Sequence, residues 1–114
     1  PISQDDLDST FDLPVYRLVL ENGTFDSHWS QSKQSALATQ FTEFVKNLSG
    51  IGVEKIHLVL AAPNSLTFNI GRRYDKRNLP NIVVYQYERS QEKKYPWGVN
   101  MPVGTNAVAG IETT

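Results

Sequence analysis

A turn between an apolar strand and a helix is the first place in this sequence where a ligand could bind. It comprises Ala61, Ala62, Pro63, Asn64 and Ser65. A helix that begins at such a turn leaves its first backbone N–H groups without intrahelical partners, and these groups attract anions. The alanines let a ligand approach the backbone, and the two polar side chains add hydrogen-bonding groups. The turn therefore indicates an anion site, although helix capping and helix–strand packing explain the same residues.

The loop 22–32 is a second candidate site. It follows a strand that we expect at Val15–Glu21, so it lies at the same rim of the sheet as the turn. The loop carries His28 and Trp29, and aromatic faces stack on nucleobases with little sequence preference. The alternative is that Trp29 packs the following helix against the core.

Aromatic residues gather on the last two predicted strands: Tyr85, Tyr87, Tyr95 and Trp97. Side chains alternate along a strand, which places Tyr85 and Tyr87 on one face. Core or edge packing is the favoured explanation of the group. Tyr87 lies near its strand end, however, and is the one closest to the expected ligand crevice.

Catalytic signals are poor. The two histidines are His28 and His57, and His57 falls inside a predicted strand as a core or edge residue. There is no cysteine, and the common metalloprotease, P-loop, serine-hydrolase and dinucleotide-binding motifs do not occur. The basic group at the end of the second predicted helix suits a helix C-terminus, with contact to a neighbouring protomer or domain as the alternative: Arg72, Arg73, Lys76 and Arg77. We expect no catalytic residue, no metal and no cofactor.

Hydrophobic patterning predicts the elements that would position these residues. Strands are expected at Val15–Glu21, at Lys55–Ala62 with burial on both faces, at Ile82–Glu88, and as a short segment within 94–102. A first helix is expected from Ser30 or Ser32 to Gly50, with apolar residues at helical spacing: Leu37, Phe41, Phe44, Val45 and Leu48. A second helix is expected from Pro63, with Leu66, Ile70 and Tyr74 facing inward. The order β-α-β-α-β-β predicts an α/β fold with a small Rossmann-like sheet, mostly parallel, and an antiparallel last strand at its edge.

Composition restricts the class of protein. The 114 residues suit one domain, and 39% hydrophobic and 20% charged residues suit a globular one. A net charge of −1 argues against binding nucleic acid polymers, and no segment is apolar enough to span a membrane. The absence of cysteine fits a cytoplasmic protein. The first residue is Pro1 rather than Met, which indicates a fragment or a processed product.

Three strings together resemble the C-terminal, CARF-like half of SAVED domains: IHLVLAAPNSLTFNIGRRYD, IVVYQYE and YPWGVNMP. The matching residues are Ile56, His57, Leu58, Ala61, Ala62, Pro63, Leu66, Gly71, Arg72, Tyr85, Gln86, Tyr87, Tyr95 and Pro102. Gln86 stands where the family often has Glu. The resemblance implies a half domain at 15–102. Residues 1–14 are rich in Asp and Ser, which indicates an arm or linker, and the small and polar residues of 103–114 indicate a flexible tail.

This resemblance implies a non-catalytic sensor. SAVED domains bind cyclic oligonucleotides, such as cyclic oligoadenylate, and switch on effectors in CBASS and type III CRISPR anti-phage systems. Ala62, Pro63, Asn64 and Ser65 would then hold a phosphate or ribose. Asn22, Trp29 and Tyr87 would line the base-binding rim. The expected partners are a second SAVED half, an effector domain or subunit, and further copies in a head-to-tail oligomer.

Two other functions stay open at this point. A half domain without its mate is also suited to docking on another SAVED or effector protein without binding nucleotide. A nuclease activity on the cyclic ligand is a distant third possibility, since some related CARF-like folds degrade their ligands.

Overall fold

Seven helices and strands make up the described part of the chain. The computed structural model describes residues 2–18, 31–61, 64–74, 79–101 and 110–114. In chain order the elements are α1 Gln4–Asp8, α2 Gln31–Gly50, β1 Lys55–Leu58, α3 Asn64–Arg72, β2 Asn81–Gln86, β3 Trp97–Met101 and β4 Ile111–Thr113.

The described strands form one four-stranded sheet in the order β1-β2-β3-β4. β1 and β2 are parallel, with His57 opposite Val83, whereas β2–β3 and β3–β4 are antiparallel. The predicted antiparallel pairing of the last strand with the third one is confirmed as the pairing of β3 with β2. Its predicted position at the edge of the sheet is wrong, because β4 pairs with the other side of β3. The expectation of a mostly parallel sheet is wrong for these strands, because β1–β2 is the one parallel pair among them.

Two of the predicted strands differ from the structure. In the predicted strand Val15–Glu21, residues 15–18 have no regular secondary structure, and the remainder lies outside the described residues. The side chains of Val15, Tyr16 and Leu18 are exposed there, so no sheet face holds them. The strand predicted at Lys55–Ala62 ends at Leu58. Its side chains are exposed or half-buried rather than buried, because β1 forms one edge of the described sheet.

Each face of the sheet carries its own hydrophobic cluster. On one face, α2 and α3 cover Ile82 through Phe41, Val45 and the half-buried Ile70. This outcome agrees with the predicted inward faces of both helices. On the other face, Val83, Tyr85 and Tyr95 pack with Leu7 of α1, and the half-buried Ile2, Phe11 and Val59 lie against them. The sheet therefore lies between two helices on one side and the N-terminal segment on the other.

α2 ends at Gly50, as predicted, and Gly52 closes its C-terminus. Gly52 has a φ of 95°, a left-handed conformation that glycine adopts without steric cost. The N–H groups of Val53 and Gly52 donate to the carbonyls of Leu48 and Ser49 at 3.1 Å each. This pair of bonds is the Schellman arrangement, in which the glycine follows the last helical turn.

The two terminal segments contain elements that the sequence did not suggest. The predicted arm 1–14 includes α1, whose N-terminus is capped by the Ser3 hydroxyl, which accepts from the N–H of Asp6 at 3.1 Å. The predicted tail 103–114 includes β4, which pairs with β3. Both elements are short, and each is held by tertiary contacts rather than by its own propensity.

Candidate functional site

A cleft of about 380 Å³ opens at the carboxyl ends of β1 and β2. The crevice outside the carboxyl ends of parallel strands is where open α/β sheets bind ligands. Backbone and side chains that follow β1 form one wall, the end of β2 forms the floor, and the N-terminal segment forms the other wall. The lining residues are Ile2, Asp6, Val59, Leu60, Ala61, Tyr85, Gln86, Tyr87 and Tyr95.

The N-terminal wall is fixed to the rest of the domain. Leu7 is buried beneath it in the core. After α1, the hydroxyls of Ser9 and Thr10 accept from the backbone N–H groups of Lys94 and Tyr95 at 3.0 and 3.1 Å. These bonds tie the segment to the connection between β2 and β3. Asp6 is therefore held at the cleft by the contacts of the residues that directly follow it.

Asp6 and Tyr87 meet across the mouth of the cleft. The Tyr87 hydroxyl donates to the Asp6 carboxylate at 3.3 Å, which is long for an O–H···O bond. Partial desolvation and the Asp6 carboxylate both raise the pKa of Tyr87. Burial raises the pKa of Tyr95 too, with Asp6 adding to the effect. Both hydroxyls therefore stay protonated and can donate hydrogen bonds at neutral pH.

Tyr85 extends the cleft into a polar network on the same face of the sheet. Its hydroxyl lies 2.6 Å from Nδ1 of His57 and donates to the Glu112 carboxylate of β4 at 3.5 Å. Glu112 also forms an ion pair with Lys55 of β1. Burial, together with the Glu112 carboxylate, raises the pKa of Tyr85 to about 12. The network therefore links both edges of the described sheet to a residue that lines the cleft.

We expect His57 to make stability depend on pH. Burial and the neighbouring Lys55 lower the pKa of His57 below 6.5, and Glu112 only partly opposes them. As the pH falls, the unfolded chain therefore binds a proton at His57 before the folded chain does. The contribution of neutral His57 to the free energy of unfolding is complete above pH 6.5 and is lost as the pH falls below it. The midpoint of thermal unfolding should decrease as the pH is lowered through 6.5, and this decrease should be smaller in the His57→Gln variant. An unchanged pH dependence in that variant would contradict the assignment.

The affiliation of the chain is decided by comparison with protein families. Residues 1–101 match SAVED, the "SMODS-associated and fused to various effectors sensor domain". The chain belongs to the SAVED family. Searches of curated proteins and of solved structures gave no significant match.

The SAVED match confirms the resemblance read from the sequence and extends it. It begins at residue 1 and therefore includes every residue that lines the cleft, with Ile2 and Asp6 among them. SAVED domains are sensors that occur fused to effectors, which implies a sensory rather than a catalytic role. Glu112 lies beyond the matched residues.

The residues predicted to bind ligand in this SAVED domain are only partly described. Tyr87 lines the cleft together with Ala61, the first residue of the predicted turn. Asn64 is the first residue of α3, and Ser65 is exposed in its first turn. The remaining predicted residues lie outside the described part of the chain: Asn22, Trp29, Ala62 and Pro63.

Sequence reasoning missed the N-terminal wall of the SAVED cleft. Ile2 and Asp6 lie in a segment that was expected to be an arm, and Asp6 brings the carboxylate that faces the tyrosines. A signal was present, since Ser3 and Asp6 have the spacing of a helix-capping pair. Tyr85 and Tyr95 were expected to pack, and each is both a core residue and part of the lining.

The described part of the SAVED chain has neither a cluster of metal-binding side chains nor a membrane-spanning helix. No cluster of three or more His, Cys, Asp or Glu in it is placed to hold a metal ion. No helix in it is long and apolar enough to cross a membrane.

Proposed function

We propose that this SAVED domain binds a cyclic oligonucleotide second messenger and thereby controls an associated effector in cytoplasmic anti-phage defence, of the CBASS or type III CRISPR kind. The domain itself catalyses no reaction in this proposal. The observation that supports it most directly is the cleft at the carboxyl ends of β1 and β2, which lies within the residues that match the sensor family. Its exposed aromatic residue, Tyr87, offers a face on which a base can stack.

The proposal assigns two roles around this cleft. Ala62, Pro63, Asn64 and Ser65 hold a phosphate or ribose, because α3 begins at Asn64, shortly after Ala61 of the cleft lining, and the first N–H groups of a helix attract anions. Tyr87 supplies the base-stacking rim, and Asn22 and Trp29 complete it. The phosphate contacts and the base contacts are thus separate parts of one crevice.

Calorimetric titration tests this function. Cyclic di-, tri- and tetranucleotides are titrated into the intact protein, and at least one of them should release or absorb heat on binding. The Tyr87→Ala variant should bind that ligand about 5- to 150-fold more weakly, since stacking contributes roughly 1–3 kcal/mol per base. Tyr16→Ala is the matched control, because Tyr16 is exposed and does not line the cleft.

Two results would contradict the proposal. The first is the absence of heat with every cyclic oligonucleotide. The second is an equal loss of affinity in the Tyr16→Ala and Tyr87→Ala variants, since this would indicate a general effect on the fold.

The partners follow from the family. A second SAVED half, an effector domain or subunit, and head-to-tail association of several copies are the partners we propose. Sedimentation with and without the bound cyclic oligonucleotide distinguishes assembly by ligand from permanent association.

A docking module that binds no nucleotide is the alternative function. The exposed side chains of Val15, Tyr16 and Leu18, which lie close together in the sequence, favour it, because exposed apolar groups are typical of protein contacts. A partner that is retained in a pull-down, and that the Ser65→Ala variant retains equally well, would support this function if no cyclic oligonucleotide binds.

A further inference from the structure

The cleft has an unusual chemical lining for a site that receives a phosphorylated ligand. Among its described lining residues, Asp6 is the one charged side chain, and no Lys or Arg is present. The other polar side chains are three tyrosines and Gln86. A carboxylate repels phosphate, so the part of the cleft beside Asp6 is suited to an uncharged portion of the ligand.

A carboxylate specifies what that portion must present. It accepts hydrogen bonds and donates none, and its two oxygens provide about four lone-pair positions. One of these positions receives the Tyr87 hydroxyl at 3.3 Å. Among the described residues, no other side chain donates to this carboxylate, so its remaining positions can accept hydrogen bonds from a ligand.

Among the nucleobases, guanine is the one that offers two adjacent donors on its hydrogen-bonding edge. Its ring N1–H and exocyclic amino group lie side by side and fit the two oxygens of one carboxylate. Adenine and cytosine place an acceptor nitrogen beside their amino group, and that nitrogen would face the second carboxylate oxygen. Uracil has one ring N–H between two carbonyl oxygens. A paired donor set therefore distinguishes guanine from the other bases at this position.

We propose that Asp6 reads the base of the bound ligand and selects guanine over adenine. That the ligand is cyclic rests on the proposed function. The inference adds that the ligand contains at least one guanine and is not made of adenine alone. Tyr87 stacks on the base while its hydroxyl keeps the carboxylate oriented. Leu7 and the Ser9 and Thr10 bonds hold α1 in place, so Asp6 is presented on a fixed wall rather than on a mobile arm.

Base selection can be measured without the cyclic ligand. GMP and AMP are titrated separately into the whole chain, and amide chemical shifts are followed by NMR. GMP should bind about 10-fold more tightly than AMP, in line with the discrimination of one bidentate pair. In the Asp6→Asn variant the preference should disappear or reverse, because an amide offers one donor and one acceptor and so matches adenine.

Matched variants separate base reading from effects on the helix. Asp5→Asn removes the same charge from the first turn of α1, but Asp5 is exposed and does not line the cleft. It should leave the preference for GMP unchanged. Asp6→Glu keeps the carboxylate and should keep the preference for GMP over AMP, with weaker binding from the longer side chain.

The outcomes decide this inference separately from the proposed function. Equal binding of GMP and AMP, binding of neither, or an Asp6→Asn variant that keeps the preference would each overturn the guanine assignment. Calorimetry with cyclic di-GMP and cyclic di-AMP is run in parallel. Binding of both cyclic ligands with equal affinity would support the sensor function and overturn base selection. A preference for GMP without binding of any cyclic ligand would support base selection and overturn the sensor function.

Discussion

The Gly98→Ala variant is expected to lose about 3 kcal/mol of its free energy of unfolding. A Cβ atom at position 98 would lie 2.7 Å from the backbone oxygen of Val84 and 2.8 Å from Cγ1 of Val83. The Val84 oxygen belongs to the adjacent strand β2, so it cannot move without disturbing the pairing of β2 with β3. The Val83 side chain is completely buried, so it has no space to move away from the added Cβ.

The same close approach explains why the polar network can form. Gly98 lies opposite Tyr85 on one side and opposite Glu112 on the other. Because position 98 has no side chain, the Tyr85 ring can lie over β3 and its hydroxyl reaches Glu112 on β4. The Cβ of an alanine there, only 3.1 Å from Cδ1 of Tyr85, would push the ring off β3 and away from Glu112.

Gly71→Ala provides the matched control for this variant. Gly71 is exposed in α3, and a Cβ there would meet no atom within 4 Å. Alanine stabilises a helix relative to glycine, by about 0.5–1 kcal/mol in the middle of a helix and by less in the final turn, where Gly71 lies. Urea unfolding should therefore move the midpoint of the two variants in opposite directions. Equal stability of the two would show that β2 and β3 are not packed as closely as described.

Patterning predicted the elements that are long or strongly periodic. The helix face with Phe41 and Val45, the inward Leu66 and Ile70, and the antiparallel β2–β3 pair follow from spacing that a single window of sequence contains. These elements bury apolar residues at a regular interval, and that interval is visible without knowledge of their neighbours.

The elements that patterning missed depend on distant residues. α1 has five residues and β4 has three, too few for a periodic signal. Leu7 is buried because Val83, Tyr85 and Tyr95 come to it from the far end of the chain. The opposite error occurred at 15–18, where apolar alternation predicted a strand although these residues are exposed.

The candidate site, like the fold, could be predicted from the sequence only in part. Placing Ala61 and Tyr87 at one rim of the sheet required only the rule that parallel strands present their carboxyl ends together. Asp6 could not be placed by that rule, because it comes from a segment outside the strand–helix pattern. The position of Asp6 follows from the burial of Leu7, which depends on tertiary contacts with residues far away in the sequence.

The Leu7→Ala variant is expected to lose about 2–5 kcal/mol of its free energy of unfolding. Leu7 is 8% exposed and packs in one cluster with Val83, Tyr85 and Tyr95, so truncation leaves a cavity between α1 and the sheet. Loss of this anchor should also loosen the bonds that the Lys94 and Tyr95 N–H groups donate to Ser9 and Thr10. Hydrogen exchange of these two amides measures the loosening, and urea unfolding measures the stability.

Leu13→Ala is the control, since Leu13 is 50% exposed and its truncation should change stability by less than about 0.5 kcal/mol. If Leu7→Ala were as mild, the N-terminal segment would be a detachable arm, as its composition first indicated. Asp6 would then lack a fixed position beside Tyr87, and base selection by a rigid wall would fail with it. A large loss confined to Leu7→Ala, with faster exchange at 94 and 95, would instead show that the wall and the sheet fold as one unit. The carboxylate then meets the ligand in a position set before binding, which lowers the entropic cost of recognition.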